Sequence, residues 1–283
     1  MTALVPWTRV AVRPSNPHAR DAVSAAMFAA GAQGLLEEGG DGGMLVTHVV
    51  SIEEAAAIEL AVHSADPGAA IETHAIPGVD WSVAWRDSIR AHPVGSLTIA
   101  PPWLAEGLDP ARSVIVEPAM AFGTGDHPTT RGVLRLMQDL IHTGDVVADL
   151  GAGSAVLAIA AVKIGAARAA AVEMDPDAIS NAEENVARNG VAGRVQVIEG
   201  DAALFLPLLA PVRVVLANII SSVLTALLPE IGRSLTGDGV AILSGILHEE
   251  REKMLTLFAA DGWRVIREDA EGEWWSVAIE KIR

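Results

Sequence analysis

The stretch from Val146 to Glu173 constrains the fold more than any other part of this 283-residue chain. Val146–Asp149 is an apolar run ending in an acid, and Gly151-Ala152-Gly153 is a turn. Ser154–Ile164 has the composition of a buried helix, and Ala169–Val172 is a second strand ending at Glu173. Strand, glycine turn, helix and returning strand form a βαβ unit, which requires parallel pairing under a helical cover. The alternation continues with a helix at Pro176–Asn189 closed by Gly190, and with strands at Arg194–Ile198, Val212–Leu216 and Val240–Leu243. Further helices fit at Ser222–Ser234 and His248–Ala260. This order predicts an α/β fold with a mostly parallel sheet buried on both faces.

The end of the chain departs from that rhythm. Trp263–Glu268 and Trp274–Glu280 are both strand-like, and only Asp269–Glu273 separates them. A parallel crossover needs a dozen residues or more, so this pair must be an antiparallel hairpin. Seven strands with a reversed hairpin at the end point to a Rossmann-like methyltransferase sheet rather than a dinucleotide-binding one.

Ahead of the sheet lies a smaller unit. Trp7–Val12 is strand-like, Ala19–Ala30 is helical and stops at Gly31, and Gln33–Glu37 and Leu45–Val49 flank the glycine-rich turn at 38–43. Ser51 then caps a helix at Ile52–His63, with Glu54 completing a capping box, and Ala70–His74 is a last strand. The βαββαβ order fits a small ferredoxin-like α+β domain over residues 1–75. Residues 76–107 read as a linker: a helix with Trp81 and Trp85 on one face, then an extended segment broken by Pro93, Pro101 and Pro102. The third part is 108–283.

Composition removes several chemistries. With no cysteine, disulfides, thiolate metal sites and cysteine nucleophiles are excluded. The eight histidines include no i, i+4 pair, so no metal site is expected. A formal net charge of −16 argues against nucleic-acid binding and is compatible with a basic protein partner. Lys163 and Arg168 interrupt the best apolar run before the roughly 18–20 residues of a membrane span. No signal peptide is visible at the N-terminus, so a cytoplasmic protein is expected, and the chain is taken as a monomer.

The glycine turn allows close approach of a ligand to backbone. In a dinucleotide site a third glycine would stand where this chain has Val156, and S-adenosylmethionine, which has no phosphate, tolerates that loss. Asp149 beside the turn is placed either to hold a ligand ammonium or to orient the loop. Glu173 is placed for two ribose hydroxyls, or is an exposed strand-end acid. Asp201, after the third strand, is placed for an adenine amino group or is a surface-loop aspartate. Asn218, ending the fourth strand, is placed to accept a hydrogen bond from an amine while its NH₂ is anchored to backbone, or to cap a helix. Phe122, Gly123, Gly125, His127 and Thr130 form a ligand-facing loop, with Thr130 as N-cap of a helix Arg131–Leu140.

At these residues the chain resembles the PrmA family, methyltransferases of ribosomal protein L11. The resemblance spans nearly the whole length. It rests on Ala121-Phe-Gly-Thr-Gly-Asp-His-Pro-Thr-Thr130, the glycine turn with Gly151 and Gly153, Glu173, Ala217-Asn-Ile219, and Asp80-Trp-Ser-Val-Ala-Trp85. It implies S-adenosylmethionine as cofactor, with contacts at Thr130, Gly151, Glu173 and Asn218. It also implies an N-terminal substrate-recognition domain on a flexible helical linker, and transfer of methyl to lysine ε-amines and an N-terminal α-amine of the ribosomal protein. Asp126, Ala155 and Glu173 depart from the family's usual Thr, Gly and Asp. The methyl of Ala155 is expected to narrow the methionine end of the pocket. The departures leave open a lysine methyltransferase with another protein substrate. More distant alternatives are an NAD-binding oxidoreductase and a non-catalytic ribosome-binding module.

Overall fold

The computed structural model describes residues 7–38, 43–76, 89–118 and 125–282. The chain divides into two compact units, 1–88 and 89–283. The linker tryptophans Trp81 and Trp85 and most of the glycine-rich turn at 38–43 lie outside the described residues.

In the first unit, β1 (Trp7–Arg13), β2 (Leu36–Glu38), β3 (Met44–Val49) and β4 (Ala70–Ile76) form a sheet in the order β2-β3-β1-β4, with every pair antiparallel. Helices α1 (Arg20–Ala29) and α2 (Ile52–Ala65) give the sheet its core: Val10 and Val12 of β1 meet Val23 and Met27 of α1 and Ile58 and Val62 of α2. Ser51 caps α2 as expected, its hydroxyl accepting the Glu54 N–H at 3.1 Å. The Glu54 carboxylate, however, accepts from Val50 N–H, one residue before the position a capping box would use.

The second unit opens with β5 (His92–Val94), β6 (Leu97–Ala100) and β7 (Ser113–Ile115), a three-stranded sheet. Residues 89–107, expected as part of a linker, are therefore built into this unit. The reason lies in Val94, Leu97 and Ile99, which are buried in its main core. Helix α3 (Pro128–Leu140) follows, then β8 (Val146–Leu150), α4 (Val156–Ile164), β9 (Arg168–Glu173), α5 (Pro176–Arg188), β10 (Val195–Glu199), α6 (Ala202–Leu209), β11 (Val212–Asn218), α7 (Ser221–Ser234), β12 (Leu235–Leu247), α8 (Arg251–Ala260), β13 (Trp263–Glu271) and β14 (Trp274–Lys281).

The seven strands stand in the order β10-β9-β8-β11-β12-β14-β13. Strands β8 to β12 pair in parallel, and β14 is antiparallel to both β12 and β13. The terminal hairpin is thus as the short connection required. This is an α/β fold with a mixed sheet, helices α3, α4 and α5 covering one face and α6, α7 and α8 the other. Strand alternation assigns each central side chain to a face. Along β11, Val214 and Leu216 pack with the first set and Val215 and Ala217 with the second, so Asn218 falls on the α3 side. Among the described residues no helix is long and apolar enough to cross a membrane.

Candidate cofactor site

A cavity of about 540 Å³ opens at the carboxyl edge of the sheet, where the strand order reverses between β8 and β11. That is the crevice in which open α/β sheets bind ligands. It is bounded by the glycine turn, the ends of β9 and β11, and the loop from β10 into α6. A second hollow, about 720 Å³, lies at the amino ends of the same strands and holds none of the expected site residues.

The turn is built by backbone that only glycine adopts without cost. Gly151 and Gly153 have φ of 68° and 51°, and a Cβ on Gly151 would lie 2.5 Å from the Ile219 side chain. The N–H groups of Gly151 and Ala152 donate to the carbonyl of Val172 at 2.9 and 3.1 Å. Glu173 completes the stitching: one carboxylate oxygen accepts the Gly153 N–H at 2.7 Å, and the other accepts those of Met174 and Asp175 at 2.9 and 3.0 Å. The acid expected at a ribose therefore also holds the turn closed, with lone-pair capacity left over. Asp201 lines the cavity too, and its carboxylate caps α6 by accepting from Ala203 N–H at 2.8 Å.

Asp149 is placed differently from its neighbours. It is fully buried behind the turn, outside the cavity lining, with one oxygen accepting the Ala158 N–H of α4 at 3.0 Å. Of the two roles open to it, the structure supports orienting the loop and helix. Burial pushes its pKa up to about 7, against the lowering effect of the Ala158 bond and with a further rise from Glu173. Ala155 caps the same helix with φ 62° and is itself buried in the core. Its methyl thus packs inward and does not narrow the described cavity, contrary to expectation.

Asn218 lines the cavity, and its NH₂ donates to Thr130 Oγ1 at 3.4 Å rather than to backbone. Its Oδ1 has no hydrogen bond among the described residues. Thr130 is not the N-cap of its helix. α3 begins at Pro128, whose fixed φ suits a first helical position, and His127 is the cap, its Nδ1 accepting from Thr129 N–H at 3.4 Å. Thr130 sits in the first turn, fully buried, near enough to hold the Asn218 amide. Burial and then the Arg131 charge hold the His127 imidazole below its ordinary range. Phe122 lies outside the described residues.

Several positions not foreseen from sequence shape the site. Ser244 and Ser276, both buried, share a 2.7 Å hydrogen bond beneath α3, and Ser244 Oγ donates to the Thr129 carbonyl at 3.3 Å. Gly132 of α3 packs so tightly on β14 that a Cβ there would meet Ser276 Oγ at 2.3 Å. The third is a ladder of asparagines, 181, 185 and 189, along α5. Their i, i+4, i+8 spacing is visible in the sequence, although their targets in the 115–117 segment and the turn are not.

The described cavity lining contains three carboxylates, Glu173, Asp175 and Asp201, the amide Asn218, and no lysine or arginine. Three carboxylates and no basic side chain favour a cationic adenosine derivative over a pyrophosphate there. The site therefore fits S-adenosylmethionine, whose sulfonium and ammonium are both cationic.

The family model for ribosomal protein L11 methyltransferase (PrmA) matches residues 43–282. The chain belongs to the PrmA family. Ribosomal protein L11 methyltransferase from Pelotomaculum thermopropionicum is 38% identical over 229 residues, covering 80% of this chain and 73% of that one. The Thermus thermophilus protein of the same name is 39% identical over 196 residues, covering 69% and 75%. Among solved structures, ribosomal protein L11 methylase from Lactobacillus delbrueckii subsp. bulgaricus superposes with a TM-score of 0.59 at 27% identity, covering 69% of this chain and all of that one. As a PrmA-family protein the chain is a methyltransferase that uses S-adenosylmethionine.

Proposed function

We propose that this protein transfers methyl groups to lysine ε-amines of ribosomal protein L11, with an N-terminal α-amine as a further acceptor. The acidic lining of the glycine-turn cavity, with no basic side chain among its described residues, carries the cofactor half of the reading. The acceptor half rests on the relatives that bear the L11 name. S-adenosylmethionine, when bound, supplies an electrophilic methyl on a sulfonium.

The side chains divide the remaining work. Gly151 and Gly153 leave room for the ligand against the backbone. Glu173 offers its spare lone pairs to the ribose hydroxyls and Asp201 takes the adenine amino group, each charge-assisted bond contributing about 1.5–3 kcal/mol. Thr130 fixes the Asn218 amide so that Oδ1 accepts a hydrogen bond from the incoming amine and aims its lone pair. That amine must be neutral, and for an ordinary lysine at neutral pH deprotonation costs about 4–5 kcal/mol. Desolvation beside a cation reduces that cost. His127 is not assigned as the base, because its Nδ1 is engaged by Thr129.

We read the first unit as a ferredoxin-like module, supported by its βαββαβ order and its β2-β3-β1-β4 antiparallel sheet. We assign it recognition of the protein substrate. The methyltransferase domain is taken to include β5 and β6, from residue 89 on. Incubating the protein with methyl-labelled S-adenosylmethionine and a ribosomal extract is expected to label L11. Label confined to another protein would move the substrate assignment, and no transfer to any protein would defeat the reading.

A further inference from the structure

We infer that Asn185 is a positioning residue for the cofactor site, a buried amide that ties the glycine turn to the segment following β7. This rests on the proposed reading of the glycine-turn cavity as the cofactor site.

Asn181 and Asn185 of α5 and Asn189 at its C-cap lie on one face, four residues apart. Asn189 acts on Ile115 alone among backbone outside its own helix: Oδ1 accepts its N–H at 2.9 Å and Nδ2 donates to its carbonyl at 2.6 Å. Asn181 Nδ2 donates to the Glu117 carbonyl at 3.3 Å. Asn185 reaches in two directions. Its Oδ1 accepts the Glu117 N–H at 2.9 Å and an Arg188 guanidinium N–H at 2.7 Å. Its Nδ2 donates to the Ser154 carbonyl at 3.2 Å and to Asn181 Oδ1 at 3.3 Å.

An asparagine amide has two N–H donors and two acceptor lone pairs, and here all four are used in a side chain with no exposure to water. Ser154 directly follows Gly153, whose N–H is the one that Glu173 holds. In sequence Glu117 directly precedes the stretch that leads to Thr130, the partner of Asn218. Asn185 is thus the member of the ladder that bonds both the segment after β7 and the residue next to the glycine turn. Removing its amide takes a hydrogen-bond partner from the Glu117 N–H and from the Ser154 carbonyl at once, and Ser154 directly follows Gly153 of the cavity lining.

The test compares Asn185→Ala and Asn185→Asp with Asn189→Ala in the full chain. Calorimetric titration with S-adenosylmethionine, thermal unfolding and amide hydrogen exchange of the ligand-free protein are the readouts. Asn185→Ala is expected to weaken cofactor binding about ten-fold. Its KM for cofactor rises while kcat at saturation stays near wild type, and the Glu117 and Gly153 amides lose exchange protection. Asn189→Ala is expected to lower Tm comparably, expose the Ile115 amide and leave affinity within about two-fold. Asn185→Asp keeps the acceptor side and its Arg188 partner but sets an oxygen against the Ser154 carbonyl and Asn181 Oδ1, so its affinity is expected to fall at least as far as that of Asn185→Ala. It also carries the test if the alanine variant does not fold.

Equal losses of affinity in Asn185→Ala and Asn189→Ala would overturn the inference, as would wild-type affinity in either Asn185 variant. A wild-type protein that does not bind S-adenosylmethionine contradicts the proposed function instead. The exchange measurement then still decides, with unchanged Gly153 protection in the Asn185 variants counting against positioning.

Discussion

Asp149 illustrates how much a single buried group is coupled to its surroundings. One of its oxygens rests on the Ala158 N–H, and the other has no partner among the described residues. Its pKa rises from 3.8 to about 7, with burial the largest cause. Between those values the native protein holds a proton that the unfolded chain has released. The resulting stability is complete below pH 3.8 and is lost as pH rises through about 7. Asp149→Asn is neutral at every pH and keeps an acceptor for Ala158. Urea unfolding at about pH 5 and about pH 8 is expected to show a smaller pH-dependent loss in the variant than in wild type; identical losses would contradict the assignment. At Ala155 two effects compete. A left-handed alanine costs about 1–2 kcal/mol, which glycine would relieve. Glycine would also remove a buried methyl, about 0.8 kcal/mol, and loosen the unfolded chain by about 0.4–1 kcal/mol. The terms nearly cancel, so Ala155→Gly is expected to change stability by less than about 1 kcal/mol, measured by the same unfolding curves. The sequence marks Ala155 as unusual, but the direction of its methyl depends on a backbone angle that no composition rule discloses.

Among the elements, α3 and the terminal hairpin form a charged clasp at the edge of the site. Arg131 pairs with Glu271 and also donates to the Asp126 carbonyl. Arg135 pairs with Asp269 at 2.6 Å and with Glu271 at 2.8 Å. Arg131, then Arg135, hold the Glu271 carboxyl down to about 2 against the opposing effect of burial. The stability this contributes is present above the unfolded pKa of 4.5 and is lost as pH falls toward 2. The side chain is about a third exposed, so solvent screening limits the effect. Glu271→Gln is expected to destabilise by about 1 kcal/mol at neutral pH and to be less sensitive to acid than wild type, read from unfolding at about pH 7 and about pH 3. The hairpin itself was legible because five intervening residues cannot make a parallel crossover. Helix α6 was not, since Ala202–Leu209 is apolar nearly throughout and contains Pro207, which hides any amphipathic period. Strands β5 and β6 escaped notice for a related reason: Pro93 and the following prolines mask two short strands that gain their order from packing, with Val94 and Ile99 buried. For the site, the strand-end positions of Glu173 and Asn218 follow from alternation. The partners that define their geometry, Gly153 and Thr130, are contacts across the fold that spacing alone does not reveal.

At the scale of the whole molecule, 36 acidic residues against 20 lysines and arginines leave a formal charge of −16. A ribosomal protein needs basic surface to bind RNA, so on the proposed function electrostatic steering of the encounter is expected. Raising ionic strength from about 0.05 M to about 0.5 M is expected to raise KM for L11 several-fold with a smaller change in kcat, because salt screens long-range attraction and leaves the buried contacts intact. A salt-independent KM would show that the charge serves solubility alone. The central claim, that the acidic glycine-turn cavity and Asn218 serve amine methylation of L11, is tested most directly by intact-mass spectrometry of purified L11 after incubation with the enzyme and S-adenosylmethionine. The account predicts a mass rise in whole methyl increments that map to lysines and the N-terminal amine, and that fall sharply with Asn218→Ala. An unchanged L11 mass under conditions where cofactor binding is demonstrated would contradict it.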